Sequence, residues 1–100
     1  MTPSSTTSRQ IETSTAFKRD YKREAKGRYR ATLESDLRAV LTALATDMPL
    51  EPQYRDHDLS GNWAGYRDCH IKPDLLLIYR KPDPDTLQLA RLGSHSELFK

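Results

Sequence analysis

Apolar residues recur at helical spacing in the first half of the chain. A first helix is predicted from a cap at Ser14 to Lys26, because side chains at every fourth position share one apolar face: Phe17, Tyr21 and Ala25. A second helix is predicted over 29–46, where the apolar positions follow the same period: Leu33, Leu37, Val40, Leu41 and Leu44. Gly27 interrupts the pattern between them, so we expect a helical hairpin joined by a tight turn.

Beyond Pro49, which ends the second helix, the pattern becomes that of strands. Residues 50–62 are irregular, and strands are then predicted over 63–71, 74–80 and 86–92. The middle one is apolar on both faces, as expected for a central strand that is covered on both sides.

Two short segments complete the pattern. A first strand is predicted over 9–13, and 94–99 is expected to be a loop or a single helical turn. The order of strand, helix, helix and three hairpin-connected strands predicts an α+β fold. In that fold the N-terminal strand joins an antiparallel sheet, and the helical hairpin packs on one side of it.

Length and composition favour one small globular domain. The chain has 100 residues, of which 36% are hydrophobic and 30% charged, and we place the domain at 9–100. Residues 1–8 are polar and are expected to be a disordered tail without a secretory signal. No apolar run is long enough for a membrane span, and the lone Cys69 is expected to be a small core residue in a reducing compartment. The cytoplasm is therefore the expected location.

Charge is unevenly distributed along the chain, although the net charge is only +2. A basic face of the first helix, spanning an arc of about 140° beside the apolar face, carries Lys18, Arg19, Lys22, Arg23 and Lys26. Such a concentrated face predicts binding to a polyanion such as RNA. An ordinary solvated helix face is the alternative, because lysine and arginine are good helix formers.

Side chains suited to RNA cleavage cluster in the strand-rich half: His57, His70, His95, Asp74 and Arg91. RNA carries its own nucleophile, the 2′-hydroxyl, so its cleavage needs a base, an acid and a cation near phosphorus. Histidine suits the first two roles because both of its protonation states exist near neutral pH, and the arginine fork matches phosphate oxygens. No metal or cofactor is expected. Ordinary structural histidines and a zinc site are the alternatives.

Aromatic residues divide into two groups. Three of them are expected to pack against the sheet: Trp63, Tyr66 and Tyr79. Phe99 stands close to the end of the printed chain, where a core aromatic is rare, so we expect it to stack on a base or to seal the site.

Three ordered segments resemble the YafQ branch of the RelE/ParE toxin superfamily: YRDHDLSGNWAGYRDCH at 54–70, PDLLLIY at 73–79 and RLGSHSELF at 91–99. The resemblance extends from about Gln10 to Phe99, and the helical half matches mainly in pattern and length. It implies the RelE-like microbial RNase fold. It also implies a toxin of a type II toxin–antitoxin system, which cleaves messenger RNA on the ribosome.

The resemblance also implies residue roles. His57, His70, Asp74 and His95 would form the catalytic set, with Arg91 and Phe99 supporting it. His95 is expected to be the general acid, His70 or Asp74 the base, and Arg91 the phosphate ligand; His57 would be a base or would orient the substrate. The basic helix would contact 16S ribosomal RNA. The resemblance also implies an antitoxin of the ribbon-helix-helix class, which would cover the toxin.

Three positions depart from the family pattern. Arg55 stands where a lysine is common, which is a mild change. Asp58 follows His57 where a proline is expected, and its negative charge would favour the protonated ring. Leu75 follows Asp74 where relatives can carry tryptophan, so a stacking role there is lost. A non-catalytic RNA- or protein-binding module on the same fold is the rival function, and a metal-binding protein is another.

Overall fold

A computed structural model describes residues 8–99, so the expectation of a disordered tail falls, apart from Ser8, outside the described residues. The strands are β1 (Gln10–Thr13), β2 (His57–Asp58), β3 (Arg67–Lys72), β4 (Leu75–Arg80) and β5 (Thr86–Gly93). The helices are α1 (Thr15–Glu24), α2 (Leu33–Ala45) and α3 (His95–Leu98). No helix within 8–99 is long and apolar enough to cross a membrane.

The five strands form one sheet in the order β1-β5-β4-β3-β2. The central position of β4 confirms the prediction from its two apolar faces, and the residues Leu75 to Tyr79 are all buried. Three of the four strand pairs are antiparallel, whereas β1 pairs with β5 in parallel. The pairs β3–β4 and β4–β5 were predicted, but β2 lies within residues 50–62, which were expected to be irregular. The expectation of an antiparallel sheet is corrected at the β1 edge. Parallel neighbours require a long crossover, and here the helices and three strands lie between them in the chain.

The helical hairpin packs on one face of the sheet, as predicted. The main core joins the two layers through Phe17, Leu33, Leu37, Val40, Leu44, Leu75, Leu77, Tyr79, Leu87, Leu89 and Leu92. The side chain of Ser14 caps α1 by accepting a hydrogen bond from the Phe17 N–H at 2.9 Å. The expected tight turn is wrong, because α1 ends at Glu24 and residues 25–32 form a longer run of turns before α2. Tyr29 in this connection packs against the core.

The opposite face of the sheet is covered by α3 and by the segment before β3. A second apolar cluster lies there, formed by Leu76, Ile78 and Leu98 with Leu59, Trp63, Tyr66 and Phe99 packed around it. The strand predicted over 63–71 begins only at Arg67, because Gly61–Trp63 forms a 3-10 turn. Gly61 and Gly65 have φ angles of 65° and 91°, which interrupt extended backbone.

Candidate active site

Asp68 on β3 lies beside His57 and on the same face of the sheet as His70. Side chains alternate along a strand, so Asp68 and His70 share one face while Cys69 lies in the core on the other, as expected for the cysteine. In the register of the sheet Asp68 lies opposite His57 of β2, and its Oδ1 is 3.2 Å from the His57 Nδ1. The Asp68 carboxyl is 2% exposed.

Burial and charge act against each other on Asp68. Burial is the largest influence and raises the pKa of its carboxyl, and the charge of Asp56 raises it further. The charges of His57, His70 and His95 lower it, but the net pKa stays above the usual range. All three histidines are therefore close enough to act on one buried carboxyl. The approach of the His57 Nδ1 does not have hydrogen-bond geometry, so the Asp68 Oδ1 has no hydrogen-bond partner among the described residues.

Hydrogen bonds to the backbone orient two of the imidazole rings. The His57 Nδ1 lies 2.6 Å from the Arg55 carbonyl, in addition to its approach to Asp68. Because both neighbours are acceptors, Nδ1 carries a hydrogen, and the neutral ring keeps its lone pair on Nε2. The His70 Nδ1 lies 3.3 Å from the Pro73 carbonyl, which favours the same tautomer. Both rings can therefore accept a proton at Nε2.

His95 is the first residue of α3 and is exposed. The preceding Ser94 caps this helix, and Ser94 and Glu97 form a reciprocal capping box. The His95 ring lies 5.0 Å from the Phe99 ring, centroid to centroid, at an interplanar angle of 42°. Phe99 is half-buried on the second apolar cluster, so one aromatic ring supports the other.

Asp74 lies in the β3–β4 turn and touches the start of α3. Its Oδ1 accepts a hydrogen bond of 3.5 Å from the His95 backbone N–H, and its Oδ2 pairs with the Arg28 guanidinium at 3.1 Å. The Asp74 side chain is 53% exposed. It contacts the site, but its ion pair with Arg28 occupies one oxygen and makes it a weaker candidate for the base.

Arg91 is held by a buried acid of α1 rather than left free for phosphate. Its Nε donates to Asp20 Oδ2 at 2.7 Å and its Nη2 to Asp20 Oδ1 at 3.3 Å. The Leu92 N–H donates to the same carboxylate at 3.0 Å. Burial alone would raise the pKa of Asp20, but these hydrogen bonds and the charges of Arg91 and Arg23 lower it below its usual value. Of the three guanidinium nitrogens of Arg91, Nη1 is the one without an acceptor within residues 8–99.

The basic face of α1 separates into two parts. All five of its residues are exposed, as expected for a binding surface. Four of them form no ion pair within residues 8–99: Lys18, Arg19, Lys22 and Lys26. Arg23 instead donates to Asp20 at 3.1 Å and to the Leu92 carbonyl at 3.0 Å, and it lies 3.5 Å from Glu97 of α3. Arg23 therefore connects α1 to the end of β5 and to α3.

Three site features escaped sequence reasoning. Asp68 stands two residues before His70, and strand alternation places both on one face, so this signal was present in the sequence. For Asp20 only the i,i+3 spacing to Arg23 was visible, because its other partners, Arg91 and Leu92, lie 71 and 72 residues away. The charge of Asp58 is offset by Arg67, whose Nη1 lies 2.5 Å from its Oδ1.

Known proteins share this architecture and sequence. A family model described as "Bacterial toxin of type II toxin-antitoxin system, YafQ" matches residues 9–100. The mRNA interferase toxin YafQ of Escherichia coli strain K12 is 39% identical over 92 residues, which cover 91% of this chain and 96% of the relative. A chain of the E. coli DinJ–YafQ toxin–antitoxin complex superposes with a TM-score of 0.77 at 38% identity, covering 93% of this chain and 99% of that chain.

A copper-bound mutant toxin from Helicobacter pylori is also similar, with a TM-score of 0.78 at 40% identity over 90% of this chain and 98% of that chain. Within the described part of this chain, no group of three or more His, Cys, Asp or Glu side chains is arranged to hold a metal ion. The donors present there do not fit a metal centre. Family model, relative and structures agree, and the chain belongs to the YafQ family of toxins of bacterial type II toxin–antitoxin systems.

Proposed function

We propose that this toxin is an mRNA interferase, an endoribonuclease that cleaves messenger RNA on the ribosome by metal-independent acid–base catalysis. The observation that supports this most directly is the approach of His57 to the buried Asp68, whose pKa also responds to His70 and His95. The name of the E. coli relative, an mRNA interferase, agrees with this chemistry.

In the proposed reaction His57 is the base. Its Nε2 takes the proton of the 2′-hydroxyl, the 2′-oxygen attacks phosphorus, and the bond from phosphorus to the 5′-oxygen breaks. Asp68 stabilises the imidazolium that forms, because a carboxylate near Nδ1 favours the charged ring. His95 protonates the departing 5′-oxygen. The products are a 2′,3′-cyclic phosphate and a free 5′-hydroxyl.

Other residues bind and orient the RNA in this proposal. The Nη1 of Arg91 contacts the phosphate while Asp20 holds the rest of the guanidinium. His70 contacts the substrate beside His57 and is the second candidate for the base. Phe99 supports the His95 ring and offers a face for stacking on a base. Asp74 holds the start of α3.

The proposed function also implies binding partners. The exposed basic residues of α1 bind 16S ribosomal RNA, which places the toxin in the cytoplasm. E. coli YafQ occurs in a complex with DinJ. We propose that this chain likewise has a cognate antitoxin protein, with a ribbon-helix-helix domain.

The roles of His57 and His95 can be separated with a modified message. His95→Ala and His57→Ala are each expected to slow cleavage on programmed ribosomes by about 10²–10⁴-fold. A substrate with sulfur in place of the bridging 5′-oxygen loses a thiolate, which needs no protonation. We therefore expect this substrate to restore cleavage by His95→Ala but not by His57→Ala. Ser96→Ala, an exposed neighbour on α3, is the matched control.

Four outcomes would overturn parts of this function. Full toxicity and cleavage by His95→Ala would remove His95 as the general acid, whereas toxicity of the wild type without any cleavage would favour the non-catalytic binding module. Rescue of His57→Ala by the sulfur substrate would remove His57 as the base and favour His70. Loss of cleavage in EDTA with intact ribosomes, or products ending in 5′-phosphate, would indicate attack by a water or a metal-bound hydroxide.

A further inference from the structure

We infer that Arg67 is a positioning residue, which, with Asp56 and Tyr79, holds the His57 ring in the orientation that proton transfer requires. The inference rests on the proposed function, because it assumes that His57 acts in the reaction. Arg67 itself need not touch the RNA.

The guanidinium of Arg67 forms hydrogen bonds with the residues on both sides of His57. It donates to Asp56 from Nε at 3.3 Å and from Nη2 at 3.1 Å. Its Nη1 donates to Asp58 at 2.5 Å. The two acids are the immediate neighbours of His57, so one side chain restrains the backbone before and after the ring.

This restraint matters because the backbone alone holds His57 weakly. Strand β2 has two residues, and it lies at the edge of the sheet, paired only with β3. Tyr79 adds a second anchor from the centre of the sheet, since its hydroxyl donates to Asp56 and its side chain is 1% exposed. The segment is thus tied to β3 and β4 through side chains rather than through a long strand ladder.

Arg67 also selects which carboxylate acts on His57. Asp56 and Asp58 are paired with Arg67. The hydrogen bonds that Arg67 donates to Asp56 raise the pKa of the Arg67 guanidinium above the usual range, so it stays charged. Asp68 is the carboxylate left to stabilise the ring, and His70 and His95 act on it in turn. Without Arg67, two carboxylates that lack a cationic partner would flank His57 and favour its protonated form at any given pH.

The variant Arg67→Met tests this positioning role. We expect kcat on programmed ribosomes to fall by about 10²-fold, since small misplacements of a catalytic group cost this much, while KM for the ribosome changes less than about twofold. The acidic limb of the pH–rate profile should move to higher pH, and Arg67→Lys should recover part of the rate. Arg80→Met is the matched control, because Arg80 is also a half-buried strand arginine bonded to a side chain, Gln88, at 2.7 Å.

A double-mutant cycle decides whether Arg67 acts through His57. In a His57→Ala background, Arg67→Met should cost little further rate, because the group it positions is already gone. An equal loss in both backgrounds, or a loss confined to KM, would overturn the inference. If Arg67→Met does not fold, Tyr79→Phe removes one hydrogen bond at nearly constant volume and should show a smaller loss with the same dependence on His57. Toxicity of the wild type without any cleavage of the message would instead overturn the proposed function itself, so the two failures are distinguishable.

Discussion

Asp68 shows a conflict between stability and activity within a single side chain. A buried carboxyl with one oxygen lacking a hydrogen bond destabilises the fold when it is ionised. Its pKa is raised chiefly by burial, which means that the folded state prefers the protonated form. The three histidines reduce this cost without removing it. A buried carboxyl at this position therefore fits a role in the chemistry of the neighbouring imidazole rings better than a role in stability.

We predict that Asp68→Asn makes the protein more stable and less active. Since the folded pKa of Asp68 is raised, its contribution is favourable only below its unfolded value of about 3.9 and is lost as pH rises through the folded pKa. At pH 7 the variant should gain about 1 kcal/mol in free energy of unfolding, measured by urea denaturation. The gain should shrink towards pH 4. A variant less stable than the wild type at neutral pH would contradict this account.

Residue-level expectations succeeded where a local rule applied. The period of two placed Cys69 in the core, opposite His70, and the cap at Ser14 was read from its residue type. The same period could have placed Asp68 beside His70. Its burial could not be foreseen, because that depends on how the segment before β3 folds back over the sheet.

Helix α1 carries two sets of polar side chains with different surroundings. Four exposed basic residues face outward, while Asp20, which is 3% exposed, binds the end of β5. Charge pattern alone assigned Arg23 to the outer surface, yet it connects Asp20 to Glu97 of α3. The helix therefore anchors the part of the chain that carries His95.

The Asp20 network should make stability sensitive to acid. The pKa of Asp20 is lowered, because the hydrogen bonds and charges of its arginine partners outweigh burial, so its contribution is present above the unfolded value of about 3.9 and is lost as pH falls through the folded pKa. Asp20→Ala should lose about 3 kcal/mol at pH 7, because two arginines lose a buried partner. Asp20→Asn should flatten the decline below pH 4, measured by denaturation between pH 2 and 7. An unchanged acid profile in Asp20→Asn would rule out this role.

The outer face of α1 can be tested separately. Reversing charge in a Lys22→Glu, Lys26→Glu variant should weaken ribosome association, and the dependence of affinity on salt should become shallower by about two counterions. Sedimentation with ribosomes at several salt concentrations measures this. Arg38→Glu on α2, where Arg38 pairs with Glu34, is a charge-reversal control on another helix. Equal affinity across salt for the variant and the wild type would remove the RNA-binding role of the face.

Element boundaries were predicted unevenly for physical reasons. The apolar period of α2 is strong, and its core residues were identified. Residues 29–32 were included in the predicted helix, but they form turns. The two-residue β2 leaves no periodic signal at all. Such a strand exists because Arg67 and Tyr79 hold it, and these contacts are not visible along the sequence.

Across the molecule, the fold class followed from the order of elements, but the neighbours in the sheet did not. Hairpin-connected strands pair by proximity in the chain, so β3, β4 and β5 were foreseeable. The parallel pairing of Ile11 with Leu87 joins segments 76 residues apart. The candidate site likewise depends on contacts between distant segments, since His57, His70 and His95 come from three separate elements.

The pairing of β1 with β5 has a consequence for folding during synthesis. A nascent chain that has emerged only as far as β4 leaves β1 without its neighbour, and α3 with His95 has not yet been made. The proposed active site can therefore form only after α3 has been synthesised. We expect a chain that is still being synthesised to be inactive, because His95 has not yet joined His57 and His70.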